Sequence, residues 1–175
     1  MSCAPSKTLK FNLNSLKSIV NDYVTNKRQK HNDDVNKWEN KPRSLYDAYS
    51  LVRGDHQDRI KHDASNHAAN SLSCINFSKL NINDFEELFD FINVLIGKIP
   101  GVGGLMVYDI ALRIGHLLDP QILPDKYVYL YRGAKEGAIK VLNRKVQSKE
   151  LKSVFPKEFQ GCSAEDIEDI LCIYK

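Results

Sequence analysis

The chain has 175 residues, 42% of them hydrophobic and 27% charged, with a formal net charge of +3. That length fits one domain, and that apolar share builds a real core, which excludes an intrinsically disordered chain. Cys3, Cys74, Cys162 and Cys172 make no C-x-x-C pair and no zinc-ligand spacing, which excludes a disulfide framework and leaves reduced thiols.

The opening segment, "MSCAPSKTLKFNLNSLKSIV", lacks the continuous apolar run of a signal peptide. Leu13, Leu16, Ile19, Val20, Tyr23 and Val24 then recur at helical spacing, followed by a polar stretch reaching Val35 and Trp38. Pro42 closes this region, Ser44 is placed to cap a helix through "LYDAYSLVR", and Gly54 breaks it. "DHQDRIKHDASNHAANSLSC" predicts a further helix. After a turn-rich segment, Asn83 with Glu86 three residues on predicts an N-terminal capping box for "DFEELFDFINVLIGK". That helix carries Phe85, Leu88, Phe89, Ile92, Leu95 and Ile96 on one side.

The next element, "LMVYDIALRIGHLL", is apolar nearly all round and is expected to be deeply buried. The most apolar window, Leu88 to Leu118, is broken by Lys98, Pro100 and Asp109, so no membrane span is expected. The expectation is a soluble, cytoplasmic protein without a membrane partner. Pro120 and Pro124 make "DPQILPD" a loop. "KYVYLY" alternates like a strand while "RGAKEGAIKVLNRKV" is helical in character, so strand and helix start both stay open over 127–131. A last helix, "AEDIEDILCIY", opens behind Ser163, whose hydroxyl is placed to cap the amides near Asp166.

Charge is unevenly spread. From Arg132 to Lys157 eight basic residues face only Glu136 and Glu150, a net of +6, whereas Glu158 to Asp169 holds five acids and no base. Such a basic segment suits a polyanion. The alternative is a solvated helix face partly neutralised by the acidic segment.

Between the two apolar helices lies "IPGVGGLMVYDI". Pro100 ends one helix, Gly101 and Gly103 supply backbone angles unusual for other residues, and the next helix opens with free amides. Those amides, at the positive end of the helix dipole, suit a phosphate. Ile99, Pro100, Gly101, Val102, Gly103, Val107 and Ile110 make the segment resemble the helix-hairpin-helix motif, with Val107 where alanine is usual. The resemblance implies a hairpin that holds a nucleic-acid backbone without reading bases. Members that bind DNA commonly place a basic or hydroxyl residue after the second glycine. Here stand Gly104, Leu105 and Met106, which favour packing against protein.

A further resemblance, over Phe85 to Leu142, is to helix-hairpin-helix DNA glycosylases, which carry a D-x-x-V segment some twenty residues past the hairpin. Asp125 and Val128 of "PDKYVYLYR" take those places, with Arg132 where the family often has a base. The resemblance implies Asp125 as the acid that supports the sugar cation of an extruded nucleotide. The lyase-type lysine would fall near Leu105 and is absent, and so are the iron–sulfur cysteines.

In "LYRGAKEGAIKVL", Gly133 and Gly137 flank Lys135 at a helix start that continues through Lys140 and Arg144. The pattern reads as a second phosphate site or, equally, as close helix packing through glycine. His56, His62 and His67 with Asp55, Asp58 and Asp63 lack H-x-x-x-H spacing, and they read as solvent-facing rather than metal ligands. His116, at a helix C-terminus, reads as structural.

These readings combine into an all-α, single compact domain built around a helix-hairpin-helix. Its parts are an N-terminal helical part (1–82), the hairpin core (83–146) and a C-terminal extension (147–175). The leading function is non-sequence-specific binding of nucleic acid, duplex DNA first, through Gly101, Gly103, Gly104, Arg132, Lys135, Lys140 and Arg144. The alternatives are a base-excision enzyme using Asp125 and a protein–protein scaffold. No metal and no cofactor is expected.

Overall fold

Apolar residues at three- and four-residue spacing bury one face of each helix, and that rule generates most of the architecture. The computed structural model describes residues 15–30, 33, 62–76 and 79–175. Trp38, Pro42, Ser44 and the "LYDAYSLVR" helix lie outside them, as do Cys3, Asp55, His56 and Asp58. The described chain is mainly helical, with six α-helices and one two-stranded sheet, as the sequence predicts. It falls into two compact units. One holds Val35–Leu123, and the other joins Cys3–Asp34 to Pro124–Lys175.

The Val35–Leu123 unit contains three described helices: α2 (His62–Ser73), α3 (Phe85–Ile96) and α4 (Gly104–Leu117). Helix α2 packs its buried Ala64, Ala68, Ala69 and Leu72 toward α3, where small side chains permit close approach. Helix α3 buries Phe85, Leu88, Ile92 and Ile96, four of the six apolar positions named from its sequence. Its cap differs by one residue from the expectation. Asp84, not Asn83, is the N-cap and accepts from the Glu87 amide at 2.8 Å. Glu87 in turn accepts from the Asn83 amide at 2.9 Å. The pattern shifts because a carboxylate at 84 is a stronger acceptor than the neighbouring amide at 83.

Helix α4 is buried from Met106 to His116 with only Asp109 half-exposed. It packs on α3, and the rings of Phe85 and Tyr108 meet edge to face at 6.0 Å. Beyond it the chain runs as the expected loop. The Ile122 amide returns to the Gly115 carbonyl at 3.0 Å, and a Cβ on Gly115 would collide with the Ile122 carbonyl oxygen. Glycine at 115 therefore lets the loop lie on the helix.

The second unit is built from α1 (Leu16–Asn26), β1 (Tyr127–Tyr129), α5 (Arg132–Leu142), β2 (Lys149–Leu151) and α6 (Ala164–Tyr174). Of the two readings left open over 127–131 the strand is realised, at Tyr127–Tyr129, and the helix starts just beyond, at Arg132. The strands are antiparallel, pairing Tyr127 with Leu151, Val128 with Glu150 and Tyr129 with Lys149. Helix α5 stops at Asn143, which takes the left-handed conformation (φ 50°, ψ 39°) that ends helices. Helix α6 opens on the capping box expected at Ser163, with reciprocal bonds between Ser163 and Asp166. Leu16, Ile19, Val20 and Tyr23 of α1, Val128 of β1, Ala134 and Ala138 of α5, and Ile167, Ile170 and Leu171 of α6 make one apolar core.

Candidate functional site

In the hairpin, Gly101 carries the positive backbone angle (φ 92°), and a Cβ there would lie 3.2 Å from the Ala64 Cβ of α2. Gly103 differs from the expectation of an unusual angle. It is an extended N-cap at φ −114° and ψ 171°, a conformation open to any residue. Having no side chain, it leaves the first amides of α4 without a side-chain acceptor. Gly101, Gly103 and Gly104 are all exposed, Leu105 is half-buried and Met106 is buried. The turn is thus both a packed corner, on its Met106 and Ala64 sides, and a set of accessible amides at a helix N-terminus. Lys98 and Gly101 to Gly104 form its open edge, with Lys98 exposed.

In α5 the two glycines serve packing. Gly133 and Gly137 are buried with Ala134, Ala138 and Val141. A Cβ at Gly137 would collide with the Leu171 carbonyl of α6, and one at Gly133 would meet the Lys175 side chain and the Cys172 sulfur. Of the two readings of "RGAKEG", the structure realises close helix packing. The opposite face of the helix is basic. Arg132, Lys135 and Lys140 are exposed, as are Lys145 and Lys157 farther on. None of these five has a salt-bridge partner among the described residues.

Arg144 is different. Its guanidinium grips Glu150 with two bonds, at 2.9 and 2.8 Å, and holds that carboxyl below its ordinary pKa. The fork ties Arg144, just past the end of α5, to Glu150 of β2, with the arginine side chain still partly exposed.

Two acids of 158–169, Asp166 and Asp169, are bonded within the same unit. Arg28, two residues past the end of α1, donates to Asp166 from two nitrogens, at 3.0 and 2.6 Å. Tyr23 donates to Asp169 at 3.0 Å, and the Tyr174 hydroxyl bonds Asp22. Burial first, and the neighbouring carboxylates second, push the Tyr23 hydroxyl far above its usual pKa, and Tyr174 is raised in the same way. Asp22 is held low, chiefly by the Tyr174 hydroxyl. Asp166 thus bonds Arg28 as well as the Ser163 amide, and Asp169 bonds Tyr23 of α1.

The β1–β2 ribbon pairs the strand marked by "KYVYLY" with a partner that its sequence does not name. Its register puts Tyr127, Tyr129, Lys149 and Leu151 on one side and Val128 and Glu150 on the other. The Lys149 ammonium lies 4.7 Å from the Tyr127 ring centre and 5.7 Å from that of Tyr129, and Lys126 lies 5.2 Å from Tyr127. Tyr127 is half-buried and Tyr129 is fully covered. Alternation in "KYVYLY" was the available signal, but the partner strand could not be named without the register.

Asp125 stands beside this ribbon. Its side chain is 96% exposed and its carboxylate is 3.8 Å from the Lys152 ammonium. Val128, the other member of the D-x-x-V pattern, is a core residue. The arrangement gives Asp125 the surroundings of a solvated surface acid paired with a base. His116 is buried, with its carbonyl accepting from Gln121 at 3.2 Å, whereas His67 and Asp63 are exposed. Among the described residues no three His, Cys, Asp or Glu side chains are grouped to hold a metal ion. Cys74, Cys162 and Cys172 are free thiols, and burial raises the Cys162 thiol above its ordinary pKa. No described helix is long and apolar enough to cross a membrane. No protein-family model, curated protein or solved structure matches the chain.

Proposed function

We propose that the protein binds nucleic acid without reading its sequence, through the basic surface of the second unit. The observation that carries this reading is the division of labour among charges in that unit. Arg132, Lys135, Lys140, Lys145 and Lys157 are exposed without ion-pair partners among the described residues, while Asp166 bonds Arg28 and Asp169 bonds Tyr23. A surface so arranged attracts phosphates by charge and by release of their counterions. The exposed amides at Gly103 and Gly104 offer the same kind of contact on the first unit. Both are contacts that position a backbone and carry no base information. Asp125 enters this reading as a neighbour that moderates Lys152, not as a catalytic acid.

The test is fluorescence anisotropy with labelled oligonucleotides of unrelated sequence, read across a salt series. Affinity is expected to fall steeply with salt and to vary little with sequence. Lys135→Glu with Lys140→Glu is expected to weaken it by at least about tenfold, through two lost contacts and two new repulsions. Both positions are exposed, so the fold should survive. Absence of binding at low salt, or binding indifferent to salt and to both reversals, would remove nucleic acid from consideration.

A further inference from the structure

We infer that the β1–β2 ribbon is a single-strand site, in which Tyr127 stacks a base while Lys126 and Lys149 take the flanking phosphates. The inference rests on the nucleic-acid reading above and names the form of the ligand. Three observations meet at this place. Tyr127 is half-buried, so its ring is held by the sheet while part of it stays open to solvent. Two ammonium groups lie over that ring, at 4.7 and 5.2 Å. The carboxylates nearest in the chain are occupied, Glu150 by Arg144 on the other side of the ribbon and Asp125 by Lys152.

A cation over an aromatic ring marks an electron-rich surface, and the same surface accepts the flat face of a nucleobase. Lysine stems are flexible, so both ammonium groups can swing outward to phosphates as a base replaces them. That exchange keeps every charge paired and leaves the ring covered. It also requires a base with a free face. Bases inside a duplex are paired and stacked, whereas a base of a single strand frees a face at lower cost, and aromatic platforms flanked by basic side chains therefore favour single strands. Leu151, opposite Tyr127 and exposed, extends the apolar surface on which the base would lie.

A two-stranded ribbon also fits a duplex major groove, and a basic aromatic surface also suits an anionic bilayer. The experiment separates these. The whole protein is titrated into a labelled oligothymidine strand, a duplex of the same length, and phosphatidylglycerol vesicles. It is tested as wild type, Tyr127→Phe and Tyr127→Leu, with folding checked by circular dichroism. Tighter binding of the strand than of the duplex is expected. Tyr127→Leu should weaken strand binding by between about fivefold and a hundredfold, the range seen when a stacking aromatic is removed. Tyr127→Phe should retain it. If Tyr127→Leu fails to fold, Lys149→Gln, which keeps the ring and removes one phosphate contact, should still weaken the strand and lower its salt dependence. Equal loss for strand and duplex, or no loss in any variant while salt-dependent binding persists, would overturn the single-strand site and leave the broader reading in place. Binding to vesicles alone would overturn both.

Discussion

In the α3–α4 hairpin, glycine makes the turn, because Gly101 takes a positive φ where the chain reverses and Gly103 opens the next helix at the surface. In α5, glycine makes the contact, because Gly137 has an ordinary helical place and is needed only where α6 presses the Leu171 carbonyl against it. The two regions look alike as letters, G-x-G against G-x-x-x-G. They differ in what a methyl group would meet. At Gly101 the obstacle is the backbone angle, at Gly103 there is none, and at Gly137 it is another helix. A spacing of two residues within a turn serves conformation, and a spacing of four on a helix places both glycines on one face for packing.

The largest effect should come from Gly137→Ala. The Leu171 carbonyl is backbone, so the two helices must separate, at a cost of about 3 kcal/mol. Thermal unfolding should move down by many degrees. A stable variant would mean that the α5–α6 contact is looser than the geometry states. Arg28→Ala should follow, at about 2 kcal/mol, between the values for exposed and buried pairs, because Asp166 is left mostly covered with its guanidinium gone.

That network also gives the second unit a dependence on pH. Asp22 is lowered in the folded state, so its contribution is present above the unfolded carboxyl value and is lost as pH falls through the folded one. Tyr23 and Tyr174 are raised, so theirs is present below about pH 10 and is lost as pH climbs beyond the unfolded phenol value. Denaturant midpoints measured across pH should fall at both ends. Tyr174→Phe should flatten both limbs for a loss of about 1 kcal/mol at neutral pH. Unchanged limbs would show that the Tyr174–Asp22 bond contributes nothing. Smallest of all are the hairpin substitutions. Gly101→Ala should cost about 1–2 kcal/mol and Gly103→Ala about 0.5 kcal/mol. The reverse order would erase the distinction between the two glycines of the turn.

Local chemistry was legible in the sequence and distant pairing was not. The Ser163 cap, the burial of α4 and the loop through Pro120 and Pro124 depend on residues within a turn or two of one another, and each emerged as read. The cap of α3 moved by one residue because Asn83 and Asp84 are both good caps and only their relative acceptor strength decides. The Arg144–Glu150 pair is not legible in the sequence, since Glu150 is placed by the pairing of β2 with β1. The ring under Lys126 and Lys149 depends on the same register. Arg28 and Asp166 are 138 residues apart, and no periodicity connects positions so far separated.

That separation has a consequence for how the molecule is made. The second unit is assembled from two pieces of chain, with the whole Val35–Leu123 unit between them. During synthesis, α1 and Arg28 leave the ribosome well before α6, which completes the shared core. The described helices of the other unit, α2, α3 and α4, follow one another in the chain and can pack soon after they emerge. Helix α1 must wait, and then close a loop longer than most domains before the bonds of Arg28 to Asp166 and of Tyr23 to Asp169 repay the lost chain entropy. The basic surface of α5 therefore acquires the support of the shared core only when α6 docks, long after α1 has been made, so the face on which binding is proposed depends on that late docking.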